Sequence, residues 1–151
     1  MRRVQEGMHV CCRIGGMLVG IDLDRVQEIN RRIDPTFVPL LDQYVRGVIN
    51  LCGNLVTVLD VGEIVCGQPV EGTDRARTIV VELGEEVCGL VVEEVGDVVD
   101  ISRMTREPLP RHMPAEHRRW FSGLVQISER DLLLLLNLDE LAQVGRTAGT
   151  A

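Results

Sequence analysis

Polar and apolar residues alternate from Met8 to Ile14, which puts Met8, Val10, Cys12 and Ile14 on one face of a strand and His9 at an outward position. Gly15-Gly16 turns the chain and Met17 to Ile21 returns, so the first element is a hairpin. Asp22 to Ile29 is less regular, with Leu23, Val26 and Ile29 spaced for a short helical turn or an irregular edge. Pro35 and Pro39 frame an extended link. Val45 to Leu51 and Leu55 to Asp60 form a second hairpin around Gly53-Asn54, and Val61 to Cys66 makes a short helix stopped by Gly67 and Pro69. In the second half, Thr78 to Leu83 and Val87 to Val92 pair around Gly84. They are apolar at nearly every position, as strands buried on both faces are. Glu107 to Pro114 is a proline-rich loop, Ser122 to Ile127 pairs with Leu132 to Asn137, and a helix follows over Leu138 to Val144.

The pattern occurs twice. YVRGVINLCGNLVTVLDVGEI from Tyr44 is echoed by WFSGLVQISERDLLLLLNLDEL from Trp120. Gly47 answers Gly123 at an offset of 76, and Asp60, Glu63 and Ile64 answer Asn137, Glu140 and Leu141 at 77. Ile14-Gly15, Gly20-Ile21 and Val26 answer Leu83-Gly84, Gly89-Leu90 and Val95 at 69. Two repeated pieces in the same order describe one β module built twice. The groove between two such modules is the first place to look for function. The polar stretch from Gly67 to Ala76 is the best internal boundary.

Composition supports strands over long helices: Val and Leu dominate, and 15 glycines supply turns. Many short strands with glycine turns suggest small closed barrels, which leave no edge open to aggregation. A net charge of −7 and only 3% aromatic residues argue against nucleic acid as a partner. The charge is segregated. Glu82 to Asp100 holds seven acids and no base, and Arg103 to Arg119 holds five arginines and two glutamates, which suits contacts between proteins. His9 and Arg13 interrupt the early apolar run, and Leu132 to Leu136 is too short to span a bilayer. Five cysteines without a CxxC read as reduced thiols of a cytoplasmic protein with no membrane insertion.

Candidate chemistry is sparse. His9, His112 and His117 have no metal-ligand spacing, and adjacent Cys11 and Cys12 point to opposite faces of a strand, so no metal or cofactor is expected. Acids pair at Asp22 with Asp24, Glu85 with Glu86 and Glu93 with Glu94, in positions that suit solvated turns. No nucleophile elbow, phosphate loop or dinucleotide fingerprint occurs, and the chain reads as no enzyme. Cys52, at a hairpin turn, is the one cysteine expected to be exposed, and a thiol-based redox regulator acting through it is the alternative from a different class.

GIDLDRVQEI from Gly20, followed by VPLLDQYVRGVINLCGNLVTVLDV from Val38, resembles the CheW-like family of bacterial chemotaxis coupling proteins. TIVVELGEEVCGLVVEEVGDVVDI and SGLVQISERDLLLLLNLDELA extend the resemblance over about Met8 to Leu141. The resemblance implies an all-β fold of two five-stranded SH3-like β-barrel subdomains packed on a shared core, with short helical turns. The expected layout is a single domain over 8–144. Subdomain one covers about 15–76, subdomain two covers 8–14 plus 77–144, and flexible termini lie at 1–7 and 145–151. It also implies a non-enzymatic adaptor between chemoreceptor cytoplasmic tips and the regulatory domain of a CheA-type histidine kinase. One barrel face would meet the kinase, and the groove between barrels would receive the receptor hairpin. A scaffold in a divergent pathway, binding kinase or other CheW-like domains but not standard receptors, is the close alternative.

Carried over by position, Val26 and Glu28 match the V-x-E of the family, and Gly47, Asn50, Leu51 and Gly53 match its G-v-x-N-L-R-G. With Cys52 these are the expected partner-binding residues. The chain departs from the family at Cys52 and Gly62, where the pattern has arginine, and at Thr57, where it has proline. A guanidinium offers five donors in a plane and a thiol one weak donor, so the departure at Cys52 changes what this turn can recognise.

Overall fold

The chain alternates hairpins with single strands and closes each half with a helix: β1 (Met8–Ile14), β2 (Met17–Asp22), β3 (Val26–Arg31), β4 (Val45–Leu51), β5 (Asn54–Asp60) and α1 (Val61–Cys66), then β6 (Arg77–Leu83), β7 (Glu86–Val92), β8 (Glu94–Asp100), β9 (Arg106–Glu107), α2 (Ala115–Arg118), β10 (Phe121–Gln126), β11 (Leu132–Leu136) and α3 (Leu138–Gly149). The structure, a computed structural model, describes residues 7–31, 34–39 and 41–149. The all-β reading holds. One sheet has five strands in the order β3-β6-β7-β5-β4, and the other has six in the order β8-β1-β2-β11-β10-β9, with β9 a two-residue addition.

The sheets divide the chain differently from the expected 15–76 against 8–14 plus 77–144. β2 stays beside β1, and the β6–β7 hairpin joins β3, β4 and β5. Each sheet therefore takes one hairpin from one repeat and its remaining strands from the other, β3, β4 and β5 in one sheet and β8 to β11 in the other. The reason is the third strand of each repeat: β3 leaves its own hairpin to pair with β6, and β8 leaves its own to pair with β1. A sequence repeat shows which pieces are alike and says nothing about which copy each piece pairs with.

Both faces of the central strands are covered. Cys12, Ile14, Val19, Ile21, Leu59, Ile79, Leu90 and Leu141 meet in one core shared by the two sheets. The opposite faces fill two smaller cores, Cys11, Val125, Leu133 and Leu135 under one sheet and Ile49, Val56, Val58 and Val91 under the other. This sandwiching explains the near-continuous apolar run of β6 and β7. It also overturns the outward placement of His9. Between Asp22 on β2 and Val99 on β8, His9 is 8% exposed, and its Nδ1 lies 3.2 Å from the Gly7 carbonyl oxygen.

The two repeats solve their helix starts alike. Asp60 Oδ1 accepts from the Glu63 amide at 3.0 Å and caps α1, and Asn137 Oδ1 accepts from the Glu140 amide at 3.2 Å and caps α3. The backbone amides of the same two residues donate to Tyr44 and Trp120, each at 2.7 Å. Helix α1 ends at Gly67 in the left-handed conformation (φ 72°). The expected tail over 145–151 is instead helical backbone as far as Gly149, with 150–151 outside the described residues. At the other end, residues 1–6 lie outside the described residues, and the Gly7 carbonyl oxygen accepts a hydrogen bond from the Ile101 amide at 2.9 Å.

Candidate functional site

The β4–β5 hairpin builds the site. Its two turn residues are Cys52 (φ 51°) and Gly53 (φ 86°), one position earlier than the expected Gly53-Asn54. Two positive φ values in a two-residue loop match the right-handed twist of the strands they join. The Asn50 side chain locks the turn by accepting from the Gly53 amide at 2.9 Å. Cys52 is exposed, as expected for this turn.

That turn forms one wall of an open groove of about 610 Å³ on the five-stranded sheet. Glu28 from β3 and Glu86 from β7 stand on its rim, and Leu51, Val56, Val80 and Val87 supply apolar surface. Leu55 also lines it and is 75% exposed. Of the expected partner-binding residues, the structure brings Glu28, Leu51 and Cys52 together here. Asn50 and Gly53 shape the turn without lining the groove. Val26 packs against the shared core. Gly47 sits at a bulge where β4 shifts register against β5, and Thr36 bridges to Val48 beside it, so a Cβ at Gly47 would lie 2.1 Å from the Thr36 carbonyl oxygen.

Leu55, Val80, Glu86 and Val87 were not read from the sequence as site residues. A signal existed for Leu55: it matches Leu132 in the repeat, and both are exposed leucines in two-sided strands. Glu86 carried no signal, because the strand that brings the Cys52 turn beside it, β5, pairs with β7 only through a parallel contact between distant parts of the chain.

The six-stranded sheet carries the counterpart, a groove of about 290 Å³. Cys11, Leu18 and Asp97 occupy the places of Val80, Val87 and Glu28 at an offset of 69, and Ile127 takes the place of Leu51 at 76. Burial, and then the nearby Asp97 carboxylate, push the Cys11 thiol up, and burial followed by Glu86 pushes Cys88 up to about 11. These thiols stay protonated at neutral pH and are poor nucleophiles.

A third opening, of about 400 Å³, lies where the two repeats meet, lined by Tyr44 and Ile64 from the first and Trp120 and Val144 from the second. None of the expected partner-binding residues lines it. The Tyr44 hydroxyl donates to Asp42 at 2.8 Å, and desolvation followed by that bond and the Asp42 charge pushes it up to about 12. Arg119 lies 4.3 Å from the centre of the Trp120 ring and pairs with Glu140 at 3.2 Å. His117 Nδ1, 2.9 Å from the Val65 carbonyl oxygen, ties α2 to α1.

Among the described residues no group of three or more His, Cys, Asp or Glu side chains could hold a metal ion, and no helix is long and apolar enough to cross a membrane. The arrangement offers apolar surface, a few carboxylates and an exposed turn, which is what a docking face for another protein needs.

A family model for the CheW-like domain matches residues 9–145. The chain is 30% identical over 140 residues to the chemotaxis protein CheW of Klebsiella aerogenes, covering 89% of this chain and 84% of that one. It is 27% identical over 132 residues to a probable chemotaxis protein CheW of Rhizobium etli, covering 87% and 84%. The crystal structure of the scaffolding protein TtCheW from Thermoanaerobacter tengcongensis superposes with a TM-score of 0.76 at 23% identity, covering 87% of this chain and 88% of that one.

Proposed function

Because the chain belongs to the CheW-like domain family, we propose that it is a cytoplasmic adaptor joining chemoreceptor cytoplasmic tips to the regulatory domain of a CheA-type histidine kinase. The family is one of scaffolds and not of enzymes, and its two SH3-like subdomains correspond to the two sheets described above. The observation that carries the reading is the convergence of Glu28 and Leu51, which match the family pattern, and of Cys52, which stands at the pattern's arginine position, on one open groove with exposed aliphatic surface. That groove receives the receptor tip. The counterpart groove on the six-stranded sheet, with Leu18, Val99 and Ile127, is the face for the kinase.

Both contacts are modest in size, because each groove lies at one end of a small subdomain. Titration calorimetry with the cognate kinase regulatory domain is the direct test. Binding in the micromolar range is expected, and no detectable heat at high micromolar concentration would remove this reading. Binding of the kinase domain with no binding of any receptor tip would favour a scaffold that serves only kinase or other CheW-like domains.

A further inference from the structure

The two grooves are built from matched residues but differ in charge. The six-stranded groove mixes Glu94, Asp97 and Asp131 with its own Arg13, and Glu94 also faces Arg75 at 3.8 Å. At the position matching Arg13 the other repeat carries Glu82, whose carboxylate accepts from the Gln27 amide at 3.3 Å. Among the described residues the five-stranded groove is lined by Glu28 and Glu86 and by no basic side chain. Among the described residues neither Glu28 nor Glu86 has an ion pair. Between these carboxylates the surface is aliphatic, with Leu55 three-quarters exposed.

A neutral apolar partner covering Leu55 would strip water from two carboxylates and leave them unpaired, which is unfavourable. An acidic partner would meet like charge. A segment with a base among aliphatic side chains satisfies both parts of the groove. We infer that the partner of the five-stranded groove presents an arginine or lysine flanked by aliphatic residues and seated between Glu28 and Glu86. Resting on the reading that this groove receives the receptor tip, the base stands on the receptor helix that enters it. The groove of the six-stranded sheet, which brings its own arginine, has no such requirement.

The test uses the full chain and two helical-hairpin fragments of a chemoreceptor tip, identical except for arginine or glutamate at one exposed position facing the groove. Anisotropy titrations at low and at high salt give the affinities. The arginine form is expected to bind about tenfold more tightly than the glutamate form at low salt, with the gap narrowing as salt rises. In the double variant Glu28→Gln, Glu86→Gln the preference disappears, and Glu28→Arg reverses it. Glu129→Gln, a carboxylate neutralised away from the groove, leaves it intact. Equal binding of the two forms to the parent chain, or a preference that survives the double variant, overturns the inference while the receptor reading stands. Failure of both forms to bind any variant removes the receptor reading and the inference with it.

Discussion

Arg46 offers both Nε and Nη2 to a single oxygen of Asp60, at 2.9 and 2.7 Å, and the same Asp60 carboxylate caps α1 and accepts from the Val70 amide. Asp60 is 2% exposed, so its four donors replace the water it has given up. Asp60→Ala would leave the guanidinium, the first turn of α1 and the Val70 amide without their acceptor. The expected loss is about 3–5 kcal/mol by chemical denaturation. Asp60→Asn keeps a capping oxygen, as Asn137 does in the other repeat, and loses less. Equal losses for the two variants would show that the cap contributes nothing.

Gly47→Ala and Gly123→Ala separate two glycines that the sequence makes equivalent. A Cβ at Gly47 meets the Thr36 carbonyl oxygen at 2.1 Å on a backbone with φ 142°, whereas at Gly123 the nearest atom is the Glu107 carbonyl oxygen at 3.3 Å. The Gly47 variant is expected to lose about 1–3 kcal/mol, with the Gly123 variant losing clearly less. Paired thermal and denaturant melts decide it, and an unchanged melting temperature for the Gly47 variant would contradict the bulge account.

Cys52→Arg restores the arginine of the family pattern at an exposed turn. The variant is expected to bind a standard chemoreceptor tip about tenfold more tightly, or 1.4 kcal/mol, with kinase binding unchanged. Cys52→Ala is the control, and it should match the parent in both oxidising and reducing buffer. Loss of an oxidant-dependent change in partner binding in that variant would instead support the thiol-based reading.

Tyr44 is the only tyrosine, so its ionisation can be followed by ultraviolet absorbance without assignment. The titration is expected near pH 12, and Asp42→Asn should bring it down toward 10 by removing the anionic acceptor. The sign for stability follows. The unfolded chain ionises its tyrosine from about 10, so this contribution is complete below that pH and lost as pH rises through about 12. A midpoint at 10 in the parent would mean that the hydroxyl faces open water.

Hairpins, glycine turns and the short helices after Asp60 and Asn137 were legible because each is set by local chemistry: alternation, glycine at turns, a stop at Gly67 and Pro69. β3 and β8 were not. Gln27, Glu28 and Asn30 left β3 open between a short helical turn and an irregular edge, Glu94, Asp97 and Asp100 break the apolar pattern of β8, and only the neighbouring β6 and β1 turn them into strands. His9 failed for the same reason, since β8, which pairs beside it, comes from the other repeat. The groove was half legible. Glu28, Leu51 and Cys52 came from a pattern along the chain, but Val80, Glu86 and Val87 reach them from a later hairpin. The sequence pointed to the groove between the repeats, whereas the residues matched from the family pattern gather at one end of a subdomain and not at that seam.

The exchange of the β1–β2 and β6–β7 hairpins makes the two halves of this chain behave like partners in an intertwined dimer that happen to share a covalent link. A cut in the polar stretch at residues 67–76 separates two fragments, each of which owns part of both sheets and can complete neither. Such fragments would be silent apart and would recover their fold only on meeting, which makes the chain a ready split reporter. The same geometry outlines an origin. Two copies of one repeat, trading their first hairpins, would have closed both sheets before any linker existed, and gene fusion would have made that pairing permanent.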